Sequence, residues 1–159
     1  MEDQEKFMRM AIALSDENIK QHVGGPFGAV VVKNGEVVAS SANRVIPDND
    51  PTAHAEVSAI RLACKALGTY NLSGCEIYTS CEPCPMCLGA IYWARIDKIY
   101  YANTKDDAAA IGFDDHFIYT EIESDMDKRQ VPFVQLLRDE ALPVFKHWQE
   151  DGGLNLKGY

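Results

Sequence analysis

An α/β protein, one sheet with helices packed on its faces, is what this sequence of 159 residues predicts. Short β-branched runs alternate with longer stretches of helical period, in the order β-β-α-β-α-β after a first helix. That alternation builds layered sheets rather than bundles or sandwiches. A composition of 47% hydrophobic and 25% charged residues belongs to a globular domain in water. The length fits a single domain able to bury its own core.

Residues 4–20 place Phe7, Met10, Ala11 and Leu14 at helical spacing, the mark of an amphipathic helix. "HVGGPFG" then breaks the period with Gly24, Gly25, Pro26 and Gly28. "AVVVKNGEVVAS" reads as a β-hairpin, two β-branched runs joined by Asn34-Gly35. "NRVIPDNDPTA" is a polar loop of turn formers. Residues 54–67 form a second helix with Val57, Ile60, Ala63, Cys64 and Leu67 on its apolar face, stopped by Gly68. "CEIYTS" is a short strand, "CPMCLGAIYWAR" a third helix and "DKIYYAN" a further strand. Beyond Gly112 the period is lost until "DEALPVFKHWQED", a terminal helix with a proline near its start, and the tail "GGLNLKGY". No repeats, low-complexity tracts or linkers interrupt the chain.

The charge balance is 15 basic against 24 acidic residues, net −9. A protein that follows a phosphate backbone needs a basic groove, so the balance points away from nucleic acid and toward a small neutral substrate. The apolar runs fall short of the roughly 18 residues a membrane span needs. "MEDQEKFMRM" has neither the apolar core of a signal peptide nor the makeup of a transit peptide, so the expected location is cytoplasmic. Five cysteines make an odd count for a disulfide scaffold, which raises metal binding or reactivity.

Three of those cysteines fall in "TSCEPCPMCLGA", Thr79 to Ala90. A lone C-x-x-C is shared by redox and structural zinc motifs. Here Cys84 and Cys87 open a helix, where positions i and i+3 share a face and the helix N-terminus favours the thiolate that binds zinc. "HAE", thirty residues upstream, opens another helix. Two helix N-termini at one sheet edge would bring His54, Cys84 and Cys87 to a single ion. Three protein ligands leave a fourth position for water, the open arrangement of a catalytic zinc. Glu56, two residues past a ligand, is then placed to move protons. Taken singly these residues have plainer readings: a structural histidine, a helix N-terminal charge, a structural metal clip. Together, H-x-E followed by P-C-x-x-C is specific, and it is the signature of the zinc nucleobase deaminases. Cys64 is expected in the core and Cys75 in a strand. Cys81 is read as a buried strand-end residue beside the site, the alternative being a fourth ligand of a closed structural zinc. His22, His116 and His147 have no motif around them.

On these motifs the sequence resembles the cytidine deaminase-like zinc deaminase superfamily across residues 4–112. With "GGPFGAVVV", "DPTAHAEVSAIR", "GFDDHFIY" and the C-terminal Tyr159, it is similar to the guanine deaminase family over nearly the full chain. The resemblance implies a three-layer α/β/α cytidine deaminase-like fold with a mixed sheet of about five strands. It implies one domain over 1–159, a homodimer with the segment from about 113 to 159 exchanged between subunits, and one Zn²⁺ per subunit. It implies hydrolysis of guanine to xanthine and ammonia. Residue by residue, His54, Cys84 and Cys87 would hold the zinc and Glu56 would shuttle protons. Asn43 and the Ala55 backbone N–H would contact the base, and Phe27 and Trp93 would pack on its ring. Asp115, with Asp114 as the register alternative, and Tyr159 would hold the amino edge. The bland readings are an Asx-turn for Asn43, plain core for Phe27 and Trp93, and a frayed terminus for Tyr159. Guanosine, tRNA adenosine and cytosine deamination stand as alternative activities.

Overall fold

A computed structural model describes residues 2–150; Tyr159 lies outside the described residues. The chain divides into two units, Met1–Asp115 and His116–Tyr159.

The first unit opens with α1 (Glu2–Lys20), followed by the hairpin of β1 (Gly28–Lys33) and β2 (Glu36–Ala42). Asn34 and Gly35 both take positive φ, +51° and +77°, the type I′ geometry whose twist matches the strands it joins. Val31 pairs with Ala39 but Val32 with Val37, so Val38 is the extra residue of a β-bulge. A short turn of helix, α2 (Val45–Asp48), lies in the expected loop. Then come α3 (Ala55–Leu67), β3 (Cys75–Cys81), α4 (Pro85–Trp93), β4 (Lys98–Asn103) and α5 (Lys105–Ala110).

The sheet order is β2-β1-β3-β4, with β1 antiparallel to both neighbours and β3 parallel to β4. Strand alternation sorts the core into two layers. Ala29 and Val31 of β1, with Cys75 and Ile77 of β3, face Ala59, Ala63 and Ile91 of α3 and α4. Val30, Val32 and Tyr78 face Phe7 and Ala11 of α1. The result is the expected α/β/α arrangement. Among the described residues the sheet has four strands rather than about five. Immediately after β4, Thr104 closes a capping box with Asp107 and turns the chain into α5, so no fifth β-run follows. The α1 layer presses hard on the sheet: a Cβ on Gly28 would lie 2.2 Å from the Ala11 carbonyl oxygen, which leaves no room for any side chain there.

The second unit holds α6 (His116–Glu123), a 3₁₀ turn at Met126–Lys128 and α7 (Arg138–Glu150). Arg129 Nε donates to the Glu121 carbonyl at 2.8 Å, covering an end of α6 that has no intrahelical donor. Pro143 lies inside α7, past the first turn, and so removes one ladder hydrogen bond. None of the side chains of α6 or α7 is buried.

Candidate metal centre

The two motifs meet at helix starts. His54 is the N-cap of α3 and Cys84 the N-cap of α4, both in extended backbone conformation (ψ 157° and 168°). An N-cap side chain stands at the mouth of its helix, where Ser, Thr or Asp would bond the first turn's N–H groups. Neither His54 nor Cys84 makes such a bond, so both point their donor atoms elsewhere. Upstream of α3, Asp50 Oδ1 accepts from the Thr52 N–H at 2.8 Å and turns the chain into the helix. Pro85 takes the first helical position of α4, where its missing N–H costs nothing. Cys87 follows one turn later, fully buried.

His54 Nδ1 lies 3.5 Å from Cys84 Sγ and 3.5 Å from Cys87 Sγ. Tetrahedral zinc, with about 2.3 Å to sulfur and about 2.05 Å to nitrogen, sets that N···S separation at about 3.6 Å. The group fits zinc in donor type and in spacing, and all three ligand atoms lie within 4.8 Å of one another. Cys81 stands apart from it. Its Sγ is 3.5 Å from the Thr104 carbonyl, and burial pushes its thiol up to about 11, a poor thiolate donor.

Of the three groups, only Cys84 is shifted toward the form that binds zinc. The Cys84 thiol is drawn down to about 4, first by its hydrogen bond with Cys87 and then by that with His54. Cys87 is pushed up in turn, since the proton the pair shares rests on it. His54 is raised, chiefly by its hydrogen bond with Cys84.

Glu56, the second residue of α3, is only 5% exposed. Burial raises its carboxyl above the ordinary range. Thr79 Oγ1 donates to its Oε1 at 3.0 Å, and Oε2 lies 3.4 Å from Cys87 Sγ. The carboxyl thus spans from the core of the sheet to the metal group. Ala55, fully buried, is the first residue of α3, and its N–H is one of those a helix leaves without an intrahelical acceptor.

Hydrogen bonds tie Phe27 and Asn43 to this rim. The Asn43 N–H donates to the Phe27 carbonyl at 3.0 Å, and the Arg44 N–H donates to Ala53, next to His54, at 2.9 Å. Asn43 Oδ1 accepts from the Val45 N–H at 3.3 Å. A backbone N–H can only donate, so the amide is oriented with its two N–H donors free of that contact. The Asx-turn and the base-reading role are therefore compatible, because the turn fixes which end of the amide is presented. Asn18, which sequence reasoning missed, holds this loop. Its Nδ2 donates to Gly25 at 2.8 Å and to the Asn43 carbonyl at 3.0 Å, and it is 6% exposed.

Phe27 packs edge-on against Phe113 at 5.0 Å. Asp115 is half-buried, and its carboxyl is raised by burial and by the charge of Cys84; Asp114 is exposed. Trp93 is not brought to the group. It ends α4, nine residues or about 13 Å along the helix from Cys84, and is 69% exposed. Thr79 was also missed. Its signal is legible: a polar residue on the face of β3 that otherwise carries Cys75, Ile77 and Cys81.

Among the described residues, no helix is long and apolar enough to cross a membrane. Residues 1–103 match the family described as the cytidine and deoxycytidylate deaminase zinc-binding region. The chain is 54% identical over 145 residues to the guanine deaminase of Bacillus subtilis, covering 91% of this chain and 93% of the relative. The solved structure of that guanine deaminase superposes with a TM-score of 0.89, covering 92% of this chain and 93% of the other. A tRNA-specific adenosine deaminase of Agrobacterium fabrum is 48% identical over 86 residues, 54% of this chain and 57% of the relative. With a buried carboxyl beside a His/Cys/Cys group on this fold, the chain belongs to the cytidine and deoxycytidylate deaminase zinc-binding family, on its guanine deaminase branch.

Proposed function

We propose that this protein hydrolyses guanine to xanthine and ammonia, using one zinc ion per subunit held by His54, Cys84 and Cys87. The observation that carries the reading is the Glu56 carboxyl, buried beside the ligand group with Oε2 3.4 Å from Cys87 Sγ. Zinc, when bound, lowers the pKa of a water to near neutrality. Glu56 then carries the protons, from the attacking water to the ring nitrogen beside the amino-bearing carbon, and on to the departing amine.

Asn43 presents N–H donors, which suit the acceptor edge of guanine better than the amino group of adenine. The Ala55 N–H adds a second donor, Phe27 a flat wall, and Asp115 an acceptor for the amino edge. The relative's likeness also supports guanine. It runs through 91% of the chain, whereas that of the tRNA-specific enzyme stops at 54%, and the net charge of −9 suits a small neutral base. The working form is a cytoplasmic homodimer in which the segment from about 113 to 159 closes the partner's site through Tyr159. Support comes from α6 and α7, whose side chains include Phe145 and Val144 and are none of them buried.

The test is ammonia release from guanine, guanosine, adenine, cytosine and cytidine by the zinc-loaded protein. Guanine is the expected substrate, and turnover confined to a pyrimidine or to guanosine would refute it. Light scattering checks the dimer, and a fully active monomer would remove the exchange.

A further inference from the structure

We propose that Thr79 is a positioning residue for Glu56: its hydroxyl sets which carboxyl oxygen faces the metal group. The inference rests on Glu56 being the proton carrier.

Thr79 is 1% exposed, on the inner strand β3, paired with Ala29 of β1 and Tyr101 of β4. Backbone pairing on both sides fixes its Cα, and a β-branched side chain has little freedom at χ1. The hydroxyl is therefore presented from a rigid mount. Oγ1 lies 3.0 Å from Glu56 Oε1 and 2.8 Å from the Cys81 carbonyl oxygen. A hydroxyl has one proton and two acceptor positions, while the carbonyl can only accept. It can donate to a Glu56 carboxylate, or accept from the protonated acid while donating to Cys81. One rotor thus serves both forms of a group that must pass through both. An amide N–H or a carbonyl would serve only one.

Strand geometry alone does not ask for this hydroxyl, although it also serves the Cys81 carbonyl at 2.8 Å. Valine has the same shape, favours strands at least as well and avoids burying a polar atom among Ile77 and its neighbours. Nor does another side chain hold Glu56 as securely. Cys87 Sγ, at 3.4 Å from Oε2, has no proton to give once it serves as a thiolate ligand. Thr79 is then the side-chain hydrogen bond that anchors Oε1 and leaves Oε2 toward the ligands.

The test compares Thr79→Val, Thr79→Ser and Glu56→Gln. With Thr79→Val, kcat on guanine should fall by ~10–100-fold, the range for losing an outer-shell partner, with KM, zinc content and calorimetric affinity for xanthine unchanged. Thr79→Ser, which keeps the hydroxyl, should return most of the activity. Wild-type kcat in Thr79→Val would overturn the proposal. So would a serine variant as impaired as the valine one, or a loss that tracks zinc content or KM. If Thr79→Val does not fold, Thr79→Ala carries the same comparison with serine. A Glu56→Gln enzyme with near-normal turnover would instead bring down the proton-carrier reading itself. An inactive Glu56→Gln beside a normal Thr79→Val would bring down only the positioning role.

Discussion

Replacing Glu56 by glutamine should separate chemistry from architecture, because the two respond with opposite signs. Glutamine matches the carboxyl in shape, and its amide oxygen can still accept from Thr79 at the 3.0 Å that Oε1 now occupies. What disappears is the proton transfer. The loss should be at least ~10³-fold in kcat, equivalent to about 4 kcal/mol of barrier. Stability should move the other way. The native carboxyl titrates above its ordinary value of 4.5 because it is buried. In the window above 4.5 the native state therefore binds more protons than the unfolded chain, and stability falls as pH rises through it. Neutral glutamine carries no such dependence. The metal-free variant should be as stable as the parent in acid and more stable at neutral pH, with the gap opening between. The assays are xanthine formation followed by absorbance, melting temperature against pH after chelation, and zinc content of the loaded protein. Residual turnover within tenfold of the parent would refute the argument. So would a variant that melts lower at neutral pH, since that would make Glu56 a structural group.

Cys84→Ser should abolish stable zinc binding while Cys81→Ser keeps the full content, measured by elemental analysis; zinc loss in both would revive a closed four-ligand site. Asn43→Asp keeps the acceptor that takes the Val45 N–H but replaces the amide donors by a negative edge. It should lower kcat/KM on guanine by ~10–100-fold, from one or two lost or repelled hydrogen bonds. An unchanged kcat/KM would release Asn43 from the site. Gly28→Ala drives a methyl to 2.2 Å from the Ala11 carbonyl and should cost about 2–3 kcal/mol or more, read as a lower melting temperature. A silent substitution would mean that α1 yields where it meets the sheet.

Local physics made several features readable from the chain alone. Asn34-Gly35 can only be a tight hairpin turn, because two successive positive φ values suit few other pairs. The helix starts at His54 and Cys84 follow from Asp-Pro and Pro-Cys-Pro turns, and the ligand set follows from the chemistry of imidazole and thiolate. The capping box at Thr104, a Thr with an Asp three residues on, is equally local, yet sequence reasoning missed it and with it α5. Only the tertiary structure decides the rest. Nothing nearby in sequence dictates that β1 sits between β2 and β3, yet that order brings the ends of β1 and β3 together beside α3. The 3.5 Å meeting of His54 with Cys84, thirty residues apart, is set by two helices packing on one face of that sheet. The Thr79–Glu56 and Asn18–Asn43 bonds span 23 and 25 residues. A hydrogen bond of that kind depends on where a rigid strand or helix carries its side chain, and residue type alone does not say. Trp93 shows the same limit from the other side: its ring suits a ring-binding wall by chemistry, but only the packing of α4 sets it at that helix's far end, 69% exposed in the single chain.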